Sequence, residues 1–355
     1  MTRIDSYEVI HLKTRRALWT GIAATFAMLL IILDAKTALT GANIGMELCL
    51  KTVIPSLYPF FVLSNLIRSS LIGQSVTILR PVGRFCGIPK GAESLMFLGL
   101  VGGYPVGARN VYQAYQSGQL TKSDAERMLG FCNNAGPAFI FGMVATLFSS
   151  PVVPWVLLGI QCVSAVGVAW ILPGKSRAIS ANSDISKQNI TAVIEQSTKT
   201  MAVVCGWVIL FRVVITFAQR WIFWAFDPVV QVIIAGLLEL SNGCLAMQTI
   251  SSEATRFILS SCFLSLGGLC VALQTRSVVG DLSCRKLVIG KLLQCGLSFV
   301  VAGILQYILF PDSSIPLIIP ATVAAIALPV LLQYRKKVVA FPCSLLYNKK
   351  KCETR

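Results

Sequence analysis

Glycine, proline and a charged residue interrupt an apolar stretch near residue 102. The run Gly102-Gly103-Tyr104-Pro105 is followed four residues later by Arg109. Glycine permits a sharp turn and Pro105 lacks a backbone donor, so this run predicts a broken helix. N–H groups freed at a helix start can bind an anion or a carbonyl, and Arg109 adds a fixed positive charge. The alternative is a packing turn, with Arg109 reaching toward lipid head groups.

A second interruption follows at Phe131-Cys132-Asn133-Asn134-Ala135-Gly136-Pro137. Asparagine amides offer a donor and an acceptor together, which suits uncharged polar solutes. Asn133 and Asn134 are therefore candidate ligands, and Gly136 and Pro137 are candidate gate residues beside them. The alternative is that the amides satisfy backbone groups freed by Pro137, or join neighbouring spans.

The second half of the chain carries its own polar set. Glu239 and Asn242 are three residues apart and share one helical face, and a carboxylate in an apolar span is a functional candidate by default. Farther on, Gly267 and Gly268 form another candidate turn, with Gln274 one to two helical turns beyond. Two structural alternatives for Glu239 are a protonated side chain bonded to a neighbouring span and a pair with Arg212 or Lys291.

Enzymatic chemistry lacks the residues it needs. The sequence has one histidine, His11, and no Walker loop, nucleophile elbow or paired-histidine metal motif. Its 12 cysteines lack the Cys-x-x-Cys spacing, and most lie in apolar runs. We therefore expect no enzyme, no cofactor and no metal site.

Composition places the chain in a lipid bilayer. Of its 355 residues, 55% are hydrophobic and 13% are charged. The apolar residues form runs of about 18–25, enough to cross a hydrocarbon core of roughly 30 Å. The net charge of +16 could indicate nucleic-acid binding, but the basic residues occupy short loops and tails, as in cytoplasmic loops of membrane proteins. No nucleic-acid partner is expected.

The order of apolar runs and basic loops predicts an all-α integral membrane protein. About eight transmembrane helices are expected, at 18–35, 44–67, 129–149, 154–172, 200–218, 229–250, 287–310 and 315–334. Two further broken segments, 93–115 and 256–278, are predicted to be re-entrant hairpins that turn at their Gly-Gly pairs. Both termini then lie on the cytoplasmic side of the cell membrane. If either broken segment crosses the membrane fully, the loops after it lie on the opposite side of the membrane.

A polar linker divides the chain into two membrane halves. The predicted organisation is a cytoplasmic N-terminal tail, a first half, the linker, a second half and a basic cytoplasmic tail, at 1–17, 18–172, 173–189, 190–334 and 335–355. A pseudo-two-fold internal repeat is expected because the sequence at 97–103 resembles that at 263–268. Repeats with interrupted helices are a recurring plan of secondary transporters. Whether the repeat is parallel or inverted stays open.

Both polar motifs and their surroundings resemble one family. The chain is similar to the sporulation integral membrane proteins of endospore-forming Firmicutes, which carry the nucleoside-recognition, or Gate, domain. The resemblance spans roughly residues 40–335. It rests on the two motifs above and on three shorter runs: Ala125-Glu126-Arg127-Met128-Leu129, Gly236-Leu237-Leu238-Glu239 and Leu266-Gly267-Gly268-Leu269.

The resemblance implies a multi-pass membrane protein needed for spore cortex formation, with a domain shared with concentrative nucleoside transporters. We expect a permease-like protein that binds or moves a small polar solute, nucleoside-like or a cell-wall precursor. The alternative is a non-transporting scaffold or assembly factor of the spore envelope. The solute, the coupling ion and the presence of a homo-oligomer stay open at this stage.

Overall fold

A computed structural model describes residues 3–71, 77–172, 174, 189–313 and 316. These residues form helices and loops, without a β-strand among them. The helices of the first half are α1 (Arg3–Leu33), α2 (Ala35–Leu48), a π-helical segment (Cys49–Val53), α3 (Ile54–Leu71), α4 (Arg80–Phe85), α5 (Glu93–Val101), α6 (Val106–Gln116), α7 (Lys122–Met128), α8 (Pro137–Gly142) and α9 (Val153–Ile171).

The helices of the second half are α10 (Ile190–Trp221), α11 (Pro228–Leu238), α12 (Leu240–Ala246), α13 (Glu253–Leu266), α14 (Gly268–Val278) and α15 (Arg285–Leu309). Short 3₁₀ helices lie at Thr77–Leu79, Val144–Leu147, Phe223–Ala225, Met247–Thr249 and Pro311–Ser313. The chain is therefore a helical protein, as its composition predicted.

Five helical stretches in the described part of the chain are long and apolar enough to cross a membrane. They are Ala35–Ile67, Val153–Ile171, Ile190–Trp221, Glu253–Val278 and Arg285–Leu309. Four of them contain or closely match the predicted spans at 44–67, 154–172, 200–218 and 287–310. The predicted span at 18–35 coincides with the apolar end of α1, Leu18–Leu33. The predicted span at 315–334, the tail 335–355 and most of the linker 173–189 lie outside the described residues.

The first broken segment folds back on itself, as the sequence predicted for 93–115. Helices α5 and α6 pack against each other, and Gly103 makes the turn with a φ of +73°. Gly99 on α5 and Gly107 on α6 allow the two helices to approach closely. A Cβ on Gly107 would lie 3.0 Å from the Gly99 Cα and would overlap the Cys132 carbonyl. We call α5, α6 and their turn the first hairpin.

In the second half the hairpin lies elsewhere than predicted. Helices α11 and α12 pack against each other, because the extended backbone of Glu239 reverses the chain between them. A Cβ on Gly243 would overlap the backbone of Gly236, which fixes the close approach of the two helices. The prediction of a full span at 229–250 was therefore wrong, and we call α11, Glu239 and α12 the second hairpin.

The segment predicted as the second hairpin, 256–278, is an interrupted helix that continues. It breaks at Gly267 and Gly268, both with positive φ (+77° and +75°), but α13 and α14 do not pack along each other. The predicted span at 129–149 is likewise interrupted, since residues 129–136 are not helical between α7 and α8. The sequence predicted a break at both places, but the predicted fold-back at 256–278 was wrong because apolar periodicity carries no information on where a chain reverses.

Each half therefore has the same order: a hairpin, an interrupted helix and a long helix. Each hairpin also rests on the interruption of its own half. A Cβ on Gly136 would lie 3.1 Å from the Gly103 Cα, and one on Gly268 would lie 2.9 Å from the Gly236 carbonyl oxygen. The sequence match of 97–103 with 263–268 pairs a hairpin arm with an interrupted helix, so it does not follow this order.

Long helices from the two halves pack closely beside the hairpins. Helix α10 packs along α2 and α3. Glycines on α2 permit this approach, because a Cβ on Gly41 or Gly45 would lie 2.9 Å from an α10 backbone atom. Farther along, Asn65 on α3 donates a hydrogen bond of 3.0 Å to Ser197 on α10. The two halves thus share one apolar core around the hairpins.

Candidate solute site between the hairpins

A small inner cavity lies where the hairpin turns meet. Its volume is about 40 Å³, and it is lined by Gly102, Gly103 and Tyr104 of the first hairpin, Gly136 of the first interruption, Glu239 and Ser241 of the second hairpin, and Gln274 of α14, among others. The fold therefore brings predicted residues from four separate segments to one place. Residues of α3 and α10, such as Leu57 and Val208, form its apolar wall.

Glu239 caps the second arm of its hairpin. One carboxylate oxygen accepts from the Ser241 N–H at 3.0 Å. The other accepts from the backbone N–H and the side-chain amide of Asn242, both at 2.7 Å. A carboxylate suits a helix start because it accepts from unpaired N–H groups there. Asn242 in turn accepts a long bond of 3.5 Å from Arg212, so Glu239 and Arg212, which the sequence offered as one alternative pair, are connected through Asn242.

Tyr104 joins the first hairpin to the second interrupted helix. Its hydroxyl donates to the Leu264 carbonyl at 2.8 Å. The break at Gly267 and Gly268 interrupts the backbone bonds after Leu264, so the phenol supplies a donor to a carbonyl near a helix end. A Cβ on Gly267 would lie 3.2 Å from the Tyr104 ring. The two halves thus meet at this hydroxyl.

Asn134 belongs to a buried polar network behind the cavity. Its amide oxygen accepts from Lys291 at 3.2 Å and from Gln294 at 2.9 Å, and its nitrogen donates to the Phe131 carbonyl at 2.7 Å. Gln294 also donates to Gln161. Gln161 donates to Ser265, and Ser265 donates to Ser298. The network therefore runs from the interruption between α7 and α8 to α13, the helix before the break at Gly267 and Gly268.

A larger vestibule lies on the far side of Gln274 and Pro105. Its volume is about 440 Å³, and it is lined by Arg109, Tyr112, Lys199 and Thr200 together with glutamines of α6. Arg109 donates to the Thr200 hydroxyl at 2.9 Å, and no described carboxylate pairs with it. Because Gln274 lines both spaces, it stands between the vestibule and the inner cavity.

The predicted site residues thus fall into several groups. Glu239, Gln274, Gly102, Gly103 and Gly136 line the inner cavity. Pro105 and Arg109 line the vestibule, and Asn242 supports Glu239. Asn134 lies in the polar network. Pro137 begins α8, and Gly267 lies against Tyr104. Asn133 and Gly268 line a third, lateral cavity.

Three further members of the polar network lie on long helices and were not predicted: Gln161, Gln294 and Ser298. All three are fully buried. Polar side chains inside apolar spans are functional candidates by default, so Gln161 and Gln294 carried a usable signal. The sequence around Tyr104 indicates a turn, and nothing local indicates the carbonyl that its hydroxyl meets.

Long apolar helices and reversed or interrupted helices together define a helical, multi-pass membrane protein. Over 137 residues this chain is 31% identical to "Sporulation integral membrane protein YlbJ" of Bacillus subtilis (strain 168), a match that covers 36% of this chain and 33% of that protein. The chain thus matches about a third of the length of that relative. No family model and no solved structure matches the chain.

Proposed function

We propose that the chain is a transporter-like protein of the cell membrane that acts in sporulation, in spore cortex formation, and binds a small polar solute between its two hairpins. The repeated order of hairpin, interrupted helix and long helix supports this proposal, because such pseudo-two-fold repeats place solute sites at their interface. The sporulation role rests on the similarity to the Bacillus subtilis protein and on the family resemblance. The basic loops support a cytoplasmic position for both termini, and no catalytic role is proposed.

The vestibule favours an acidic solute. Arg109 and Lys199 line it, and its described lining contains no Asp or Glu. Among the described residues, Arg109 has a neutral partner only, Thr200, so further guanidinium donors are open to a carboxylate or a phosphate. The single observation that carries the proposal is this cationic vestibule, separated by Gln274 from a cavity between two hairpin turns.

Binding to purified protein tests the proposal. We expect citrate, inorganic phosphate or a nucleoside monophosphate to raise the thermal midpoint, while a neutral nucleoside does not. At a concentration of 100 Kd, a ligand stabilises by about 2.7 kcal/mol. Arg109→Gln should weaken the effect at least tenfold in apparent Kd. Lys51→Gln is the matched control, because Lys51 is exposed, is paired with Glu47 at 2.6 Å and lies outside the vestibule lining.

Equal stabilisation by neutral and acidic compounds would contradict the acidic solute. An unchanged apparent Kd in Arg109→Gln would contradict the vestibule. No stabilisation by any compound would favour the second candidate function.

The second candidate is a non-transporting scaffold of the spore envelope. Two observations favour it. The inner cavity of about 40 Å³ holds about one water, whose share of liquid volume is about 30 Å³, so it is small for a solute. In addition, Asn134, Glu239 and Asn242 form hydrogen bonds with other protein groups, not with an open site. A scaffold tolerates conservative changes at these residues and is sensitive to changes in the loops 68–92 and 116–127. Arg127, at the end of α7, donates to the Cys86, Gly87 and Leu172 carbonyls and so connects the loop after α4 with the end of α9.

A further inference from the structure

A lateral cavity of about 210 Å³ lies between the second hairpin, α14 and α15. Its apolar rim is exposed: Leu237, Leu269 and Leu292 have 43%, 48% and 60% of their surface accessible. Its polar lining is buried and consists of Asn133, Thr275 and Lys291. In a membrane protein, an exposed apolar rim at the level of the long helices faces lipid. The cavity therefore has a lipid-facing mouth and a mostly apolar wall that contains three buried polar residues.

Lys291 lines this cavity without an acidic partner. Its ammonium donates to the amide oxygens of Asn134 and Gln294, at 3.2 and 2.7 Å, and lies 5.2 Å from the centroid of the Tyr104 ring. Among the described residues, no carboxylate lies within ion-pair distance of it. A buried ammonium without a counter-ion is costly, so a negative group in the adjoining cavity would offset the cost.

Asn133 supplies a second unsatisfied group. Its side chain is 1% exposed, and its amide nitrogen donates to the Thr275 hydroxyl at 2.9 Å. The amide oxygen has no partner among the described residues. Rotating the amide would exchange the two ends and still leave one unpaired. Buried amide groups are rarely left without a partner, and Asn133 lines the cavity, so a hydroxyl that enters from the cavity would satisfy this oxygen.

We propose that this cavity binds the acidic head group of a membrane lipid. Lys291 would pair with the phosphate, and Asn133 would accept from a head-group hydroxyl. The volume equals that of about seven waters at roughly 30 Å³ each, so it fits a head group while the acyl chains lie outside against the exposed leucines.

The depth of Lys291 and the charge around it agree with this ligand. Lys291 follows Arg285, the first residue of α15, by six residues, which places it about 9 Å along the helix from its start. A head group of the adjacent leaflet reaches that depth with a small inward displacement. Arg285 and Lys286 at the helix start attract acidic lipids toward the mouth.

Thermal stability of delipidated protein in neutral detergent tests the site. We expect phosphatidylglycerol to raise the melting midpoint and phosphatidylcholine with the same acyl chains to leave it unchanged. Lys291→Met should remove more than half of the phosphatidylglycerol shift. Lys36→Met is the matched control, because Lys36 is exposed on α2 and lies outside the cavity lining, so this variant should keep most of the shift.

A second variant covers a failure of Lys291→Met to fold. Ala272 lines the cavity and is half-buried, so Ala272→Leu fills the space without touching the Lys291 bonds and should also remove the phosphatidylglycerol shift. The proposal is overturned if Ala272→Leu keeps the full shift, if both lipids act equally, or if inorganic phosphate gives the same shift in the Arg109→Gln variant, in which the vestibule is impaired. These outcomes do not depend on the solute site, since neither Lys291 nor Ala272 lines the vestibule or the inner cavity.

Discussion

Replacing Gly243 by alanine tests whether the second hairpin is as tightly closed as the structure has it. The added Cβ would overlap the Gly236 backbone, whereas carbon atoms at rest lie about 3.5–4.0 Å apart. Helix α12 must therefore move from α11 by more than about 1 Å. Overpacking of this kind costs about 1–3 kcal/mol, against a gain of up to about 1 kcal/mol for Gly→Ala in a helix. We expect a net loss of about 1–2 kcal/mol.

The matched control is Gly206→Ala in α10, where a Cβ would meet nothing within 4 Å. Only the helix-propensity gain applies there, about 0.5–1 kcal/mol, so the two variants should differ by about 1.5–3 kcal/mol. The assay is unfolding in detergent at a fixed scan rate, monitored with a thiol-reactive dye on the buried cysteines, because midpoints of irreversible transitions depend on the rate. If Gly243→Ala melts at or above Gly206→Ala, the closed hairpin is refuted.

Two further predictions concern buried polar side chains of the hairpins and of the polar network. Tyr104→Phe removes the hydroxyl bonded to Leu264 and should lower the free energy of unfolding by about 1–3 kcal/mol, because a buried carbonyl loses its donor. Tyr58→Phe is the control, because the hydroxyl bond of Tyr58 is exposed, and it should melt like the parent protein. Equal melting midpoints for the two variants would contradict the role of Tyr104. Glu239→Gln and Asn134→Ala should each abolish sporulation while the protein still inserts in the membrane, as shown by spore counts and membrane fractionation; normal spore counts in both would favour the scaffold.

Sequence patterns predicted the helical membrane class and the first hairpin but mislocated the second. Gly102-Gly103-Tyr104-Pro105 combines glycine freedom with a missing donor, so its turn is a local property of the chain. At Glu239 the reversal depends on a carboxylate that accepts from the next turn of helix and on Gly236 facing Gly243. A glycine pair seven residues apart is not a turn signal by itself, so the apolar run around it resembled a span.

The candidate site was predicted by residue type more than by arrangement. Polar residues in apolar sequence correctly marked buried positions such as Asn133, Glu239 and Gln274. Their division among an inner cavity, a vestibule and a lateral cavity depends on helix packing between distant segments, as in the bond from Asn133 to Thr275. No local pattern encodes such contacts, so a single sequence cannot assign a polar residue to one cavity or another.

The π-helical segment Cys49–Val53 lies inside one long helical stretch, between α2 and α3. One turn of π-helix accommodates an additional residue relative to α-helix, and in a plain α-helix that residue would turn everything after it by about 100° (3.6 residues per turn). Because the wide turn absorbs the residue, α3 keeps the face that buries Phe61 and Asn65. Loss of one residue from this segment can therefore restore α-helix without rotating α3, and a relative with such a deletion can share the same packing.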